Sequence, residues 1–406
     1  MDFEKYDVII VGGGPAGCIT GEHIKNHKVL IIEEHNTIGV PLQCAGLISK
    51  RGVEELGNPQ GVVNKIKGAY IYSKNENIKI GNEEIRAYVF ERKIMDKDIA
   101  KRASKKVDFL LNAYGKLIET PNNFKKNKGG LLNNLNNLLK KSKDNNYSLQ
   151  INHMGEIYRV NPKIIVGADG ARSNIGKSAG IPMNREVLSG AQIELINVDV
   201  DDDFVYVFLD KSYCKDFFTW IIPMGKDRAR VGLCDSSNAY NKLINFINNH
   251  PIASQMLKNA TPVEFSVGAL PLGYPKNTVK GNLLLVGDAA GQVKPISGGG
   301  LYYGAKSAKI CGKIIDEYLT EDKYDLKYLK NYETLWKREI GREIDFGIKF
   351  RSILKKMNND NIDKFLEFII ENEFIEHIIK KGDMDNPSKV LRDILKGFLG
   401  NIFKKL

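Results

Sequence analysis

Residues 8–34 read VIIVGGGPAGCITGEHIKNHKVLIIEE. Val8–Val11 is a short apolar run bounded by turn residues, as in a strand buried on both faces, and Val29–Ile32 is a second one. Between them Gly12-x-Gly14-x-x-Gly17, with Pro15 and Ala16 inside the motif, leads into a helix. Glycines at this spacing let the backbone turn tightly and approach a pyrophosphate, which then rests on the positive end of that helix. Glu33 follows the second strand, with Glu34 beside it, and a carboxylate there can accept hydrogen bonds from a ribose diol. Strand, glycine turn, helix, strand and acid in this order predict a Rossmann-like dinucleotide site. The fold class expected is α/β, or α+β over the whole chain.

Further along, Phe109–Leu111, Ile164–Val166 and Leu283–Val286 read as more strands of the parallel sheet. Ile94–Lys105 reads as a helix, and a long helix begins near Leu301. Residues 187–234 differ. Val187–Val200, Phe204–Leu209, Phe217–Ile222 and Arg230–Cys234 are short β-rich runs divided by turn residues, as in an antiparallel sheet. The stretch after about Asp325 reads as helical. This order predicts a discontinuous nucleotide domain (1–64, 90–180 and 265–320), an inserted antiparallel substrate domain (65–89 and 181–264) and a helical C-terminal region (321–406). Pro121–Gln150, rich in Asn and Lys, reads as an insertion, partly helix and partly loop.

The chain has 406 residues, enough for two or three domains, and its 42% hydrophobic and 27% charged content excludes fibrous, wholly disordered and polytopic membrane classes. No apolar run approaches the roughly 20 residues of a membrane span. The first six residues lack the basic and apolar regions of a signal peptide, so a cytoplasmic location is expected. Cys18, Cys44, Cys214, Cys234 and Cys311 are widely spaced and include no C-x-x-C pair, which argues against a disulfide scaffold and against zinc. His23 and His27 are four apart but have no third partner, so no metal is expected.

Three more segments bear on the same ligand. Arg92, with Asp96 four residues on, opens a helix after Val89-Phe90. Asp169-Gly170-Ala171-Arg172-Ser173 follows a strand, and Gly287-Asp288 ends another before Gly298-Gly299-Gly300-Leu301. In this order and spacing they resemble the FAD-binding signature of the p-hydroxybenzoate hydroxylase class of flavoproteins, over residues 6 to about 315. The resemblance implies that Asp288 binds the ribityl hydroxyls and that Arg92 approaches from the second arm. It implies that Gly298–Gly300 leave room for the flavin ring, with the helix they begin directed at the ring's N1–C2 edge.

Two segments narrow the class. Gly39-Val40-Pro41-Leu42-Gln43-Cys44-Ala45-Gly46 and Phe218-x-Trp220-x-Ile222-Pro223 resemble segments of archaeal and plant geranylgeranyl reductases. There the first borders the flavin and the second lines the substrate cavity. The resemblance therefore assigns Cys44, Phe218 and Trp220 to catalysis or the substrate wall, and Cys44, Ala45 and Gly46 to the cofactor's edge. Phe218 lacks the hydroxyl of the family's tyrosine, and the segment also leans toward the flavin-dependent halogenases. A plain alternation of core residues along one strand is the simpler reading of Phe218, Trp220 and Ile222. Cys44 reads either as a packed thiol or as a residue that touches substrate or pairs with Cys311. The expected activity is saturation of C=C bonds in geranylgeranyl chains of archaeal digeranylgeranylglycerophospholipids, with hydride from reduced flavin N5. NAD(P)H, ferredoxin or a deazaflavin would be the external reductant, supplied as a nucleotide or by an electron-donor protein. The alternatives are a monooxygenase or halogenase on the same fold, and a carrier resembling electron-transfer flavoprotein dehydrogenases.

The net charge of +11 comes from 47 Lys and 13 Arg against 49 acids, and nine of those eleven charges lie in residues 121–150 and 389–406. The rest is nearly balanced, so no nucleic-acid partner is expected. Residues 389–406, KVLRDILKGFLGNIFKKL, form a basic amphipathic helix with apolar residues from Val390 to Leu406 on one face. Such a helix suits peripheral contact with an anionic membrane surface on the inner face of the cell membrane, or docking on the protein's own core.

Overall fold

The computed structural model describes residues 2–42, 44–119, 147–321 and 325–404. Val8–Val11 and Val29–Ile32 form strands at the bounds expected from their apolar runs, and every residue of both is buried. They lie inside a six-stranded sheet of order Val279–Lys280, Leu283–Leu285, Ile164–Gly167, Val8–Val11, Val29–Ile32 and Asp108–Leu110. All its pairings are parallel except that of the first two strands. A parallel sheet is covered on both faces, which is why these strands carry unbroken apolar sequence.

On one face Pro15–Glu22 packs against the long helix Leu301–Thr320 and against Arg92–Ala103. The helix Arg92–Ala103 begins two residues before the expected Ile94, because the Glu91 carboxylate accepts the Lys93 N–H and caps it. The other face is covered by a three-stranded antiparallel sheet of Ala113–Glu119, Tyr147–His153 and Glu156–Val160. Most of the expected insertion lies outside the described residues. Its last four positions do not: Tyr147–Gln150 are strand, with Tyr147 and Leu149 buried against the parallel sheet.

A seven-stranded sheet runs in the order Thr261–Leu272, Glu186–Ile196, Arg228–Asp235, Thr219–Pro223, Phe204–Phe208, Gly68–Tyr72 and Asn77–Gly81. It is antiparallel except where Phe204–Phe208 meets Gly68–Tyr72. A further small sheet, Leu47–Ser49, Ala87–Phe90 and Val62–Ile66, lies in the connection between the two large ones. Arg230 joins these layers. It is completely buried and donates to Glu194 of its own sheet, to the carbonyls of Ala45 and Phe90, and to Glu91 at 3.0 Å.

The C-terminal region opens with Lys330–Trp336 and ends with four helices, Arg342–Lys356, Asn359–Glu371, Phe374–Lys381 and Ser388–Lys404. The terminal helix settles one alternative left by its amphipathic pattern. Val390, Ile394 and Phe398 are buried in a cluster with Phe350, Phe365, Leu366 and Phe368. A Cβ on Gly397 would lie 2.9 Å from the Phe368 ring, so that glycine serves helix packing. This much of the apolar stripe faces the protein's own core rather than a membrane. No helix among the described residues is long and apolar enough to cross a membrane.

Arg230→Met should leave Glu194 and Glu91 without their buried cation and cost about 3–5 kcal/mol. Chemical denaturation of the variant against the parent chain measures it, and a loss below about 1 kcal/mol would show that the clamp is energetically idle.

Candidate functional site

One cavity of about 930 Å³ lies at the carboxyl ends of the parallel strands, where Val11, Ile32, Ala168 and Val286 emerge, and continues beneath the seven-stranded sheet to the C-terminal helices. Open α/β sheets bind ligands at this edge, where strand order reverses around the first strand. The volume is at the upper end of the roughly 300–1,000 Å³ of small-molecule sites.

The near end is built from backbone. Gly12 has φ +112° and a Cβ there would lie 2.3 Å from the Ala168 carbonyl, whereas a Cβ on Gly14 would meet nothing within 4 Å. The turn therefore presses one glycine against the next strand and opens the other, with Pro15 and Ala16, to the cavity. Gly17 does not line the cavity. Its α-hydrogen faces the Gly12 carbonyl, which a Cβ would approach to 2.1 Å, so its part is close packing of helix on turn. Glu33 and Glu34 are on the wall, and the Glu33 carboxylate accepts the Gly13 N–H at 2.8 Å and the His35 ring nitrogen at 2.6 Å. His35 has no spacing signal that would single it out in the sequence.

Asp169 and Gly170 reach the cavity, but the Asp169 carboxylate accepts from Ser173 Oγ and the Ile175 N–H and so builds the turn. Arg185, missed by motif reading, donates to the carbonyls of Ala171 and Ala289 and ties this turn to Gly287-Asp288. Among the described residues no donor bonds the Asp288 carboxylate, and burial pushes its pKa up against the opposing charges of Arg185 and Arg92. An unsatisfied carboxylate facing a cavity, beside Gly287 and Gly298–Leu301, is what a polyhydroxyl chain would satisfy. These residues fit FAD.

On the second arm Arg92 makes a two-pronged ion pair with Asp96, at 2.9 and 2.8 Å. Burial acts to lower the Arg92 pKa, but Asp96 and the neighbouring Cys44 carry it upward. Cys44, Ala45 and Gly46 line the cavity, and Cys44 Sγ accepts the Gly46 N–H at 3.4 Å. All five cysteines are free thiols. Cys311 is wholly buried among the helices and does not reach the cavity, so it is no partner for Cys44 in this structure; Cys234 is the thiol that shares the cavity with Cys44.

The wall opposite carries Phe217, Phe218, Trp220 and Ile222, while Ile221 is fully buried behind. Phe217 departs from the expected alternation because the strand begins only at Thr219. The Trp220 indole lies over Gly232, where a Cβ would approach it to 2.6 Å, and its N–H donates to Gln192 at 3.3 Å. Tyr206 also lines the cavity, with its hydroxyl already accepting the Asp201 N–H at 2.7 Å. The far end is made by the hairpin residues Ile71, Ile78 and Ile80 and by Phe365, Leu366, Ile369 and Ile394 of the C-terminal helices.

A family of FAD binding domains matches residues 5–338. The chain is 34% identical over 382 residues to a digeranylgeranylglycerophospholipid reductase of Methanococcus vannielii, covering 91% of this chain and 92% of that one. This chain belongs to the geranylgeranyl reductase family. It is also 56% identical to an uncharacterized protein of Methanocaldococcus jannaschii, over 98% of this chain and 96% of that one. A solved geranylgeranyl bacteriochlorophyll reductase-like protein of Thermoplasma acidophilum superposes with a TM-score of 0.80 at 27% identity, over 96% of this chain and 99% of that one. As a geranylgeranyl reductase-family member the chain is an FAD-dependent oxidoreductase with the fold of the p-hydroxybenzoate hydroxylase class.

Two substitutions separate fold from cofactor. Gly14→Val should keep the far-UV circular dichroism, since φ is −69° there and the Cβ has space, yet weaken FAD at least about tenfold. Asp288→Asn should stabilise the FAD-free protein. A raised folded-state pKa means the charged carboxylate costs stability at neutral pH, and that cost vanishes below the unfolded value of 3.8. Thermal melts of the two FAD-free proteins should therefore differ at pH 7 and converge as the pH falls toward that value.

Proposed function

We propose that this chain saturates C=C bonds of geranylgeranyl chains, on substrates of the digeranylgeranylglycerophospholipid type. The observation that carries the reading is the continuity of the cavity from the glycine cradle, past Trp220, to an aliphatic and aromatic far end. A compact aromatic substrate for a monooxygenase or halogenase would leave that end unfilled, while a long isoprenoid would bury it. The name of the Methanococcus vannielii relative supports the same substrate class.

In this reading Gly12, Gly14, Pro15, Ala16, Glu33 and Glu34 hold the adenosine and pyrophosphate side, and Asp288 holds the ribityl chain. Gly298–Leu301 with Cys44–Gly46 and Arg92 enclose the ring. Reduced FAD, when bound, supplies the hydride. Phe218 and Trp220 line the wall beside the chain, where a ring face turned to it would favour positive charge developing at a substituted carbon. The wall around them is apolar, which keeps water from competing for hydride. The external reductant is a nucleotide or an electron-donor protein. An anionic membrane surface is the partner that suits the basic segments and a lipid substrate, with attraction that salt would screen.

Anaerobic addition of a geranylgeranyl lipid to the reduced protein should reoxidise the flavin and raise the product by two mass units per bond. Reoxidation that requires oxygen would overturn the reading. Ile71→Trp should fill the far end, so that turnover of the geranylgeranyl lipid falls at least about tenfold while a shorter farnesyl analogue is spared. Equal losses on both chains would place the isoprenoid elsewhere.

A further inference from the structure

Lys294 lies in the cavity wall beside the glycine loop and is used by none of the steps above. Its side chain is almost wholly buried, and its ammonium donates to Asp385 Oδ1 at 2.9 Å and to the Met384 carbonyl at 3.3 Å. Asp385 is 1% exposed and also accepts from Ser49 Oγ at 2.6 Å. Tyr303 donates to the Asp385 carbonyl at 2.8 Å, so the acid is fixed by three other segments of the chain. The ammonium is pressed under the loop: a Cβ built on Gly299 would lie 2.8 Å from Lys294 Cε and 3.3 Å from Nζ. The loop closes on the same residue, since the Lys294 N–H donates to the Gly299 carbonyl and the Gly298 N–H donates to the Lys294 carbonyl. Two of the three ammonium hydrogens are engaged on the Asp385 side, leaving the positive end of this buried pair nearest the glycines.

We propose that Lys294 sets the redox poise of the bound flavin, with Asp385 as its positioning partner. Two-electron reduction that adds one hydride equivalent leaves the ring with one negative charge more than its oxidised form. A fixed cation at short range in a water-poor site favours that form, and Asp385 moderates the effect by its opposite charge. The helix that starts at Leu301 contributes a partial charge at its N-terminus, whereas Lys294 contributes a whole one. A bare structural strap between the glycine loop and the C-terminal region would use the same contacts without affecting the potential.

The inference rests on FAD lying against Gly298–Gly300, and it needs no isoprenoid. The test is the midpoint potential of the purified holoenzyme by dye equilibration, with FAD affinity measured separately. Lys294→Met should lower the ratio of reduced to oxidised flavin at a fixed poise about tenfold, which is about 30 mV for a two-electron couple. Lys294→Arg should keep the parent ratio, and Asp385→Asn, which removes the counter-charge at equal size, should raise it. Opposite signs for the two neutralising variants would establish a charge effect. An unchanged potential in Lys294→Met with FAD bound, or shifts of the same sign in both, would overturn the proposal. Should Lys294→Met fail to hold FAD, Asp385→Asn decides, since a ratio that stays level or falls also overturns it. A parent protein that binds no FAD would instead sink the cofactor reading itself.

Discussion

Arg230 is a charged side chain with no exposure to solvent, and its acceptors come from three stretches of chain: Glu194, the Ala45 carbonyl, and the Phe90–Glu91 pair. A buried guanidinium is tolerable only when nearly all its donors are met. That requirement brings the seven-stranded sheet against the Cys44–Gly46 segment and the start of the helix that carries Arg92. Gly46 is part of the bargain, because at φ +80° a Cβ would lie 2.5 Å from the Phe90 carbonyl and 3.0 Å from the Arg230 guanidinium. Glu91 serves twice, accepting Arg230 with one oxygen and capping the Arg92–Ala103 helix with the other. The cluster thus joins the seven-stranded sheet that carries Trp220 to the segment and helix start that carry Cys44 and Arg92.

The parts legible in the sequence are those whose physics is local. Val8–Val11 and Val29–Ile32 matched their strands because a doubly covered parallel strand must be apolar throughout. The glycine turn was legible in part because backbone pressed against a neighbouring segment leaves no room for Cβ, as at Gly12 and Gly17. The pairing of Phe204–Phe208 with Gly68–Tyr72 was not legible, since two strands more than a hundred residues apart in sequence carry no shared periodicity. Lone polar residues escaped for the same reason. Arg185, Arg230 and Lys294 acquire their positions from partners far along the chain, and Lys294 meets an acid 91 residues away. Gly17 was misplaced in a different way: its motif position is right, but its space is taken by the Gly12 carbonyl instead of a ligand.

The terminal helix shows where pattern alone is ambiguous. An amphipathic stripe records that one face avoids water, and a bilayer, a bound lipid and a protein core satisfy it equally. Here Val390 and Ile394 touch both the core cluster and the cavity. The polar side is tied down as well, with Arg392 over the Phe346 ring at 5.2 Å and Lys389 3.5 Å from Asp383. Asp383 in turn pairs with Arg51 at 2.7 Å, two residues before the Asp385 that holds Lys294. The segment that closes the apolar end of the cavity is thus fastened to the glycine loop at its other end. Docking of the same segment also keeps Asp385 against Lys294. The apolar end of the cavity and the buried Lys294–Asp385 pair beside the glycine loop are thus joined by one short stretch of chain, from Asp383 to Ile394.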